Sequence, residues 1–213
     1  VRAYSKNRMY TGKDIATKLW VGSYTSGKDF KQLAHEAEGI DRIAVLRADV
    51  DNLGQAFVAG FENKKNLSKY VTLSRTATLS RQLSLFFKLY LNQILQEKER
   101  NVTICYSGGD DLFIVGAWNE IIDSAIDIRQ SFEKYVQGTL TISAGIGVYS
   151  AGYPISVIAK EVADLEERSK KNKNKNSVTL FEDGEKHSIE KDGVMIELSD
   201  GTYEWQEFEE SVM

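Results

Sequence analysis

The order of strand and helix patterns constrains the fold of this chain more than any other feature of its sequence. Six segments alternate between the short apolar runs typical of strands and the three- and four-residue spacing typical of helices. They cover residues 43–46, 74–99, 102–106, 112–117, 119–132 and 140–148. Pro154 can open a further helix, and a last strand is predicted at 178–181. The predicted order is therefore β-α-β-β-α-β, followed by α and β.

This order is that of the ferredoxin-like arrangement, an α+β fold with an antiparallel sheet and helices mainly on one face. The first and third strands are central neighbours in that arrangement and run in opposite directions. Residues that follow the strand at 43–46 are therefore expected beside residues that precede the strand at 112–117. The sequence places acidic residues at both of these positions.

Four carboxylates are expected to meet at this edge of the sheet. Asp49 and Asp51 close the first strand, and Asp110 and Asp111 end a Ser-Gly-Gly turn before the third. Like charges at short range raise one another's pKa or hold a cation. Oxygen ligands without His or Cys favour Mg²⁺ or Mn²⁺, and Mg²⁺ usually keeps substrate phosphates in its shell. The pattern therefore predicts a two-metal site for nucleotidyl transfer.

Several neighbouring residues are candidates for binding the nucleotide. Gly108 and Gly109 leave room for a nucleotide to approach the backbone. Helix-opening amides can receive phosphate oxygens, and those expected here belong to Asn52, Leu53 and Gly54. Lys170, near the end of the helix that Pro154 opens, is a candidate charge for a triphosphate.

Other features have more ordinary interpretations. A Gly-Gly-Asp-Asp sequence alone is more often a hairpin turn than a catalytic site. Residues 171–175 are rich in lysine and are interpreted as a solvated helix end. Cys105 lies in an apolar strand and is expected to be a small core residue, while His35 and His187 are expected at the surface.

Composition and charge agree with a folded, nucleotide-binding domain. The chain has 213 residues, of which 42% are hydrophobic, and no apolar run approaches the roughly 18 residues that span a membrane. The single cysteine excludes an internal disulfide framework. The net charge of −4 is uneven, because residues 182–213 hold 11 of the 31 acidic residues and only 2 of the 27 basic ones. The basic excess that remains elsewhere suits an anionic ligand.

Four motifs together resemble the palm polymerase and cyclase family: DVDNLG at 49–54, SGGDD at 107–111, SAGIG at 143–147 and VTLF at 178–181. Two further segments, ATKLWVG at 16–22 and LRAD at 46–49, narrow the resemblance. They are similar to the C-terminal palm of the large subunit, the Csm signalling subunit, of type III-A CRISPR effector complexes. TYEW at 202–205 resembles the entry to the C-terminal helical domain of that subunit.

The resemblance implies a cyclic oligoadenylate synthetase that joins ATP 3′ to 5′ into a ring when its complex binds target RNA. It implies Asp110 and Asp111 as catalytic residues that hold Mg²⁺ or Mn²⁺ with Asp49 and the Val50 carbonyl. Ser107 is expected near the adenine, and Asp51 is a weaker metal candidate. The implied partners are ATP, a second palm of the same subunit, CRISPR RNA, target RNA and the small and backbone subunits. The implied location is the prokaryotic cytoplasm, and no association with a membrane is implied.

Three parts of the chain are expected on this interpretation. Residues 1–40 form a connector and a short helix, and residues 41–182 form the palm domain. Residues 183–213 form an acidic β-hairpin, with strands at 194–198 and 202–205, and the start of a truncated helical domain. Since the chain begins with Val1 rather than Met and a helix pattern starts close to its last residue, we interpret it as a fragment, and the resemblance implies that its partner palm is not included.

Two alternative functions remain open from the sequence. A diguanylate cyclase, which uses GTP, also pairs an acidic strand end with a Gly-Gly hairpin, but an acidic residue and Phe end that hairpin. Here Leu112 separates Asp111 from Phe113, a displacement of one position. The other alternative is a non-catalytic palm that binds nucleotide within a ribonucleoprotein.

Overall fold

A six-stranded sheet with helices on both faces forms the centre of the molecule. The structure, a computed structural model, describes residues 3–6, 16–19, 21–60, 72–181, 188–191, 194–197 and 200–212. Strands in these ranges are β1 (Ala3–Lys6), β2 (Ala16–Leu19), β3 (Ile43–Val50), β4 (Val102–Ser107), β5 (Asp111–Ala117), β6 (Ile142–Tyr149), β7 (Ser177–Leu180), β8 (Ser188–Lys191), β9 (Val194–Glu197) and β10 (Thr202–Glu204). Helices are α1 (Phe30–His35), α2 (Leu53–Ala59), α3 (Leu73–Leu85), α4 (Leu91–Glu97), α5 (Trp118–Val136), α6 (Ile155–Lys171) and α7 (Trp205–Val212). A π-helical turn, Phe86–Tyr90, joins α3 to α4.

The strand order of the main sheet, β10-β7-β6-β3-β5-β4, confirms the α+β fold predicted from the sequence. β3 lies at the centre, antiparallel to both β5 and β6. β7 departs from the predicted antiparallel sheet, because it pairs parallel to β6. The reason is the connection: α6 carries the chain back along the sheet, so β7 starts at the same end as β6.

Alternation along β3 divides the core between the two faces of the sheet. Ala44, Leu46 and Ala48 lie on one face, in a cluster that includes residues of α3, α4, α5 and α7. Ile43 and Val45 lie on the other face with residues of α1 and α6. The larger helical layer therefore covers one face, as predicted, while α6 crosses the face that carries the odd-numbered residues of β3.

The predicted C-terminal hairpin is wrong in its pairing. β10 does not pair with the strand at 194–197; it pairs antiparallel with β7 and becomes the edge of the main sheet, while β8 and β9 form a separate hairpin. Burial explains the difference. Trp205, directly after β10, is completely buried, and its indole N–H donates to the carbonyl of Ile142 at 2.8 Å. Phe208 of α7 is buried in the same cluster.

Two other sequence expectations also differ from the structure. Cys105 is exposed rather than in the core, because a bulge interrupts the β4–β5 register between Ile104 and Tyr106 and leaves Cys105 as the extra residue. The predicted N-terminal connector contains the short parallel pair β1 and β2. His35 lies at the surface as expected, whereas His187 lies outside the described residues. In the part of the chain that is described, no helix has the length and apolar character needed to cross a membrane.

Candidate functional site

Three of the four predicted carboxylates meet where β3 ends and β5 begins. Asp49 and Asp111 are direct partners in the antiparallel register. The amide of Val50 donates to the carbonyl of Asp110 at 3.1 Å, which joins the two strand ends. Asp110 and Asp111 are half-buried, and the Asp49 side chain is 25% exposed. The expected convergence of the first and third strands therefore places these residues together.

Asp51 does not join them. Its carboxylate is 2% exposed and accepts hydrogen bonds from the hydroxyls of Thr141 and Ser143, each at 2.8 Å. The backbone amide of Asn176 donates to the same carboxylate at 3.1 Å. The strand alternation that predicted a shared face ends with Val50, so Asp51 turns towards β6 and the loop before β7. The expectation of four converging carboxylates is therefore wrong.

The glycine turn between β4 and β5 brings Tyr106 onto the aspartates. A Cβ atom on Gly108 would lie 2.4 Å from Oδ1 of Asp111 and 2.5 Å from the hydroxyl of Tyr106, so only glycine permits this contact. The Tyr106 hydroxyl donates to Asp111, and this bond with the charge of Asp111 raises the pKa of Tyr106. Among the described residues, a Cβ atom on Gly109 would meet Ser84 Oγ at 3.5 Å, an ordinary van der Waals contact, so this position has room for a small group.

Ser107 is oriented by the long helix. Its hydroxyl donates to the carbonyl of Phe87 at 2.6 Å, in the π-helical turn. The hydroxyl proton is therefore engaged in a hydrogen bond within the protein, and the Ser107 oxygen could act towards an adenine only as a hydrogen-bond acceptor. Gly22 packs against Ser107, because a Cβ atom there would come within 2.5 Å of the Ser107 Cβ.

Lys170 provides a cation at the same place. Its ammonium group pairs with the carboxylate of Asp49 and lies 2.8 Å from Oε1 of Glu166. Burial alone would lower the pKa of Lys170, but the hydrogen bonds with Asp49 and Glu166 outweigh it and raise the pKa. For Asp110, burial and the charges of Asp49 and Asp111 raise the pKa, and Lys170 opposes this. The group is thus a compact cluster of negative charge that already attracts one cation.

The predicted helix-opening residues follow Asp49 by three to five positions, just after β3 ends at Val50. Leu53 and Gly54 are the first residues of α2, and Asn52 before them has a left-handed backbone with φ 54°. The side-chain oxygen of Asn52 accepts a hydrogen bond from Lys175 Nζ at 2.8 Å. Lys175, which the sequence assigned to a solvated helix end, thus contacts a candidate phosphate-binding segment.

A cavity of about 490 Å³ adjoins Asp111. Its walls are formed by β3, β4, β5 and the first turns of α6, with Arg47, Tyr106, Phe113, Ile155 and Ala159 among the lining residues. Sequence reasoning missed Arg47 and Tyr106. One signal could have identified Arg47: it is two residues before Asp49 and therefore lies on the same face of the strand.

The donor set fits a hard divalent cation, although no three His, Cys, Asp or Glu side chains of the described residues are arranged to enclose one. The ammonium group of Lys170 lies on Asp49, where a cation would be attracted, and acts as an internal counter-ion. Exchange of that ammonium group for a metal would leave only oxygen ligands, the set that Mg²⁺ and Mn²⁺ prefer.

Comparisons with known proteins agree with this geometry. Residues 42–179 match the family model of the Cas10/Cmr2 second palm domain. A relative from Mycobacterium tuberculosis, the CRISPR system single-strand-specific deoxyribonuclease Cas10/Csm1 of subtype III-A, is 47% identical over 193 residues. That alignment covers 85% of this chain and 24% of the relative. The chain therefore spans about a quarter of the length of the curated relatives it matches.

Solved structures of Csm1–Csm4 cassettes have the same fold. The cassette in complex with one ATP has a TM-score of 0.79 and 30% identity, and the match covers 98% of this chain and 30% of that one. The cassette in complex with cA4 also has a TM-score of 0.79, with 28% identity, and the match covers 98% of this chain and 31% of that one.

Proposed function

The chain belongs to the family of Cas10/Cmr2 second palm domains, and from this premise we propose that it is the catalytic palm of a cyclic oligoadenylate synthetase. The proposed reaction joins ATP molecules 3′ to 5′, with release of pyrophosphate, inside a type III-A CRISPR effector complex that has bound target RNA. The observation that carries the proposal is the register pair of Asp49 and Asp111, with Asp110 joined to the same strand end.

The aspartate cluster is the proposed centre of catalysis. Asp49, Asp110, Asp111 and the Val50 carbonyl would hold Mg²⁺ or Mn²⁺. When bound, such ions lower the pKa of an attacking hydroxyl and neutralise charge on a leaving pyrophosphate. Gly109 leaves room for an α-phosphate beside the strand end, whereas Gly108 lets the side chains of Tyr106 and Asp111 approach each other there.

Lys170 and the cavity beside Asp111 would bind the two ends of one nucleotide. Lys170 exchanges Asp49 for a phosphate oxygen, since both partners are anionic and the ammonium group presents three donors. The amides of Asn52, Leu53 and Gly54 add phosphate donors at the start of α2. The cavity takes the adenosine part: its volume of about 490 Å³ lies in the range of small-ligand sites, and Tyr106 and Phe113 offer apolar and aromatic surface.

Two observations favour nucleotidyl transfer from ATP over deoxyribonuclease activity and over a GTP-dependent diguanylate cyclase. The curated relatives are named as deoxyribonucleases, but similar solved cassettes hold ATP and cA4, and the fold matched in them includes nearly all of this chain. A GTP-dependent diguanylate cyclase is disfavoured by the family match and by Leu112, which displaces Phe113 from the position it takes in that family.

The proposed partners follow from the same relatives. The similar solved chains are assembled with Csm4, so we propose a Csm4-like subunit as a neighbour of the protein that contains this palm. A second palm would face the cavity, where Tyr106 and Ile155 are 53% and 41% exposed. CRISPR RNA and target RNA would act through the complex.

Calorimetric titration of the chain with ATP and with GTP, each with and without Mg²⁺ or Mn²⁺, tests the proposal. We expect metal-dependent binding that prefers ATP, and its loss in the Asp110→Ala, Asp111→Ala double variant without loss of the fold. Asp123→Ala, Asp127→Ala is the matched control, because both residues lie on α5 and pair with Arg100 instead. Unchanged ATP affinity in the first double variant would end the metal assignment, and a preference for GTP would favour the diguanylate cyclase.

A further inference from the structure

Glu166 lies between the two cations of the site and has no role in the function proposed above. Its side chain is 8% exposed. One oxygen, Oε2, accepts a hydrogen bond from Nε of Arg47 at 2.7 Å, and the other, Oε1, lies 2.8 Å from Nζ of Lys170. A buried carboxylate that is fully occupied by two cations fixes the position of both of them.

The backbone packing that creates this arrangement is tight. Gly145 of β6 is the register partner of Arg47, and a Cβ atom on Gly145 would lie 2.5 Å from the backbone nitrogen of Glu166. The absence of a side chain at Gly145 lets α6 lie directly on the sheet at this residue. Arg47 can therefore reach Glu166 across the position of Gly145, and Lys170 follows one helical turn later on the same face.

The two cations have different surroundings beyond Glu166. Arg47 lines the cavity beside Asp111, and Lys170 pairs with Asp49. A divalent ion that takes Asp49 would leave Lys170 without a partner until a phosphate reaches it, if Asp49 were its only one. Glu166 removes this cost, because its second ion pair with Lys170 survives the exchange.

We propose that Glu166 is a positioning residue of the nucleotide site, which keeps Lys170 beside the triphosphate and Arg47 at the cavity wall while Asp49 is engaged by a cation. This inference rests on the proposed binding of ATP. It assigns to Glu166 no contact with the nucleotide, so its effect is expected to pass through Lys170 and Arg47.

Three substitutions separate positioning from the general effect of charge. Glu166→Gln keeps the shape and removes the charge, while Glu166→Asp keeps the charge but is one methylene too short to hold both cations. Glu167→Gln is the matched control. Glu167 is the next residue of α6, its side chain is 65% exposed, and among the described residues its ion pair is with Lys171. We expect both changes at Glu166 to weaken metal-dependent ATP binding at least about tenfold, the lower end of what one lost hydrogen bond to a charged group costs. Glu167→Gln should stay within about twofold of wild type.

A double-variant cycle with Lys170→Met shows whether Glu166 acts through Lys170. In the Lys170→Met variant, Glu166→Gln should weaken ATP binding no more than about threefold, because Glu166 can then act only through Arg47. If Glu166→Gln weakened ATP binding tenfold both in the wild-type chain and in Lys170→Met, Glu166 would have only a structural role and the proposal would be overturned. Nuclear magnetic resonance of arginine Nε–H groups supplies a measurement without nucleotide: the Arg47 signal should lose its protection from solvent exchange in Glu166→Ala, which has no acceptor, while the Arg100 signal stays unchanged.

The failure of this inference differs from the failure of the proposed function. A wild-type chain that binds no ATP with either metal would overturn both. If the wild-type chain binds ATP and both Glu166→Gln and Glu166→Asp bind it with the same affinity, only the positioning role is overturned and the synthetase proposal stands.

Discussion

Asp51→Ala is expected to lower the free energy of unfolding of the chain without removing its nucleotide site. The change deletes a buried carboxylate and leaves three donors without their acceptor, namely the hydroxyls of Thr141 and Ser143 and the amide of Asn176. Hydrogen bonds to a charged group contribute roughly 1.5–3 kcal/mol each, but the folded protein no longer bears the cost of burying the charge. We therefore expect the free energy of unfolding to fall by about 3 kcal/mol, because each buried donor left unsatisfied costs roughly 1–3 kcal/mol and the removed cost of burying the charge offsets part of the sum.

Urea denaturation followed by tryptophan fluorescence measures this loss, because Trp205 is buried next to the carbonyl of Ile142 in the same strand as Ser143. Asp41→Ala is the matched control: the same atoms are removed from a side chain that is 72% exposed, and the change should be within about 0.5 kcal/mol. ATP affinity of folded Asp51→Ala should stay within about threefold of wild type. A loss of stability below about 1 kcal/mol together with lost metal-dependent binding would refute this reasoning and make Asp51 a ligand.

Other consequences of the structure can be tested separately. Gly108→Ala should reduce metal-dependent ATP binding at least tenfold, because the added methyl group collides with Asp111 and Tyr106, whereas Gly109→Ala should have little effect; equal titrations for the two variants would contradict this. Lys170→Ala should weaken binding of ATP more than binding of adenosine in parallel calorimetric titrations, and equal losses would indicate a purely structural lysine. Trp205→Ala should lower the free energy of unfolding by about 3–5 kcal/mol in urea, since the indole is fully buried; a loss below about 1 kcal/mol would mean that β10 and α7 are not part of the main core.

The sequence was sufficient for the fold where local pattern and topology agree. The β-α-β-β-α-β order determines which strands are neighbours, and the neighbours determine that Asp49 meets Asp111. Lys170 was identified from its place near the end of α6, and the structure brings its ammonium group to Asp49. Site functions of these residues remain proposals, but their proximity follows from strand order alone.

The failures share a physical cause: each depends on where alternation stops or on contacts distant in sequence. Asp51 follows Asp49 at the period of a strand, but the strand ends between them. A bulge turns Cys105 outward, and no residue type in that strand signals the bulge. β10 carries a turn signal typical of a hairpin, yet the burial of Trp205 against β6 selects a different partner.

Glu166 illustrates a limit of another kind. Its charge and its spacing of four from Lys170 are typical of an ordinary ion pair on a helix surface. Only the packing of α6 against Gly145 buries it and brings Arg47 from another strand to its second oxygen. Such a residue is found from the tertiary structure rather than from a motif.

Product analysis decides whether this palm makes cyclic oligoadenylates. The full-length subunit that contains the palm would be assembled with its complex, given target RNA, ATP and Mg²⁺ or Mn²⁺, and its products separated by liquid chromatography and mass spectrometry. Rings of 3′–5′ linked adenylate with release of pyrophosphate are expected from wild type, and none from the Asp110→Ala, Asp111→Ala complex. The same rings in equal yield from that variant, or cyclic product only from GTP, would contradict the proposed synthetase.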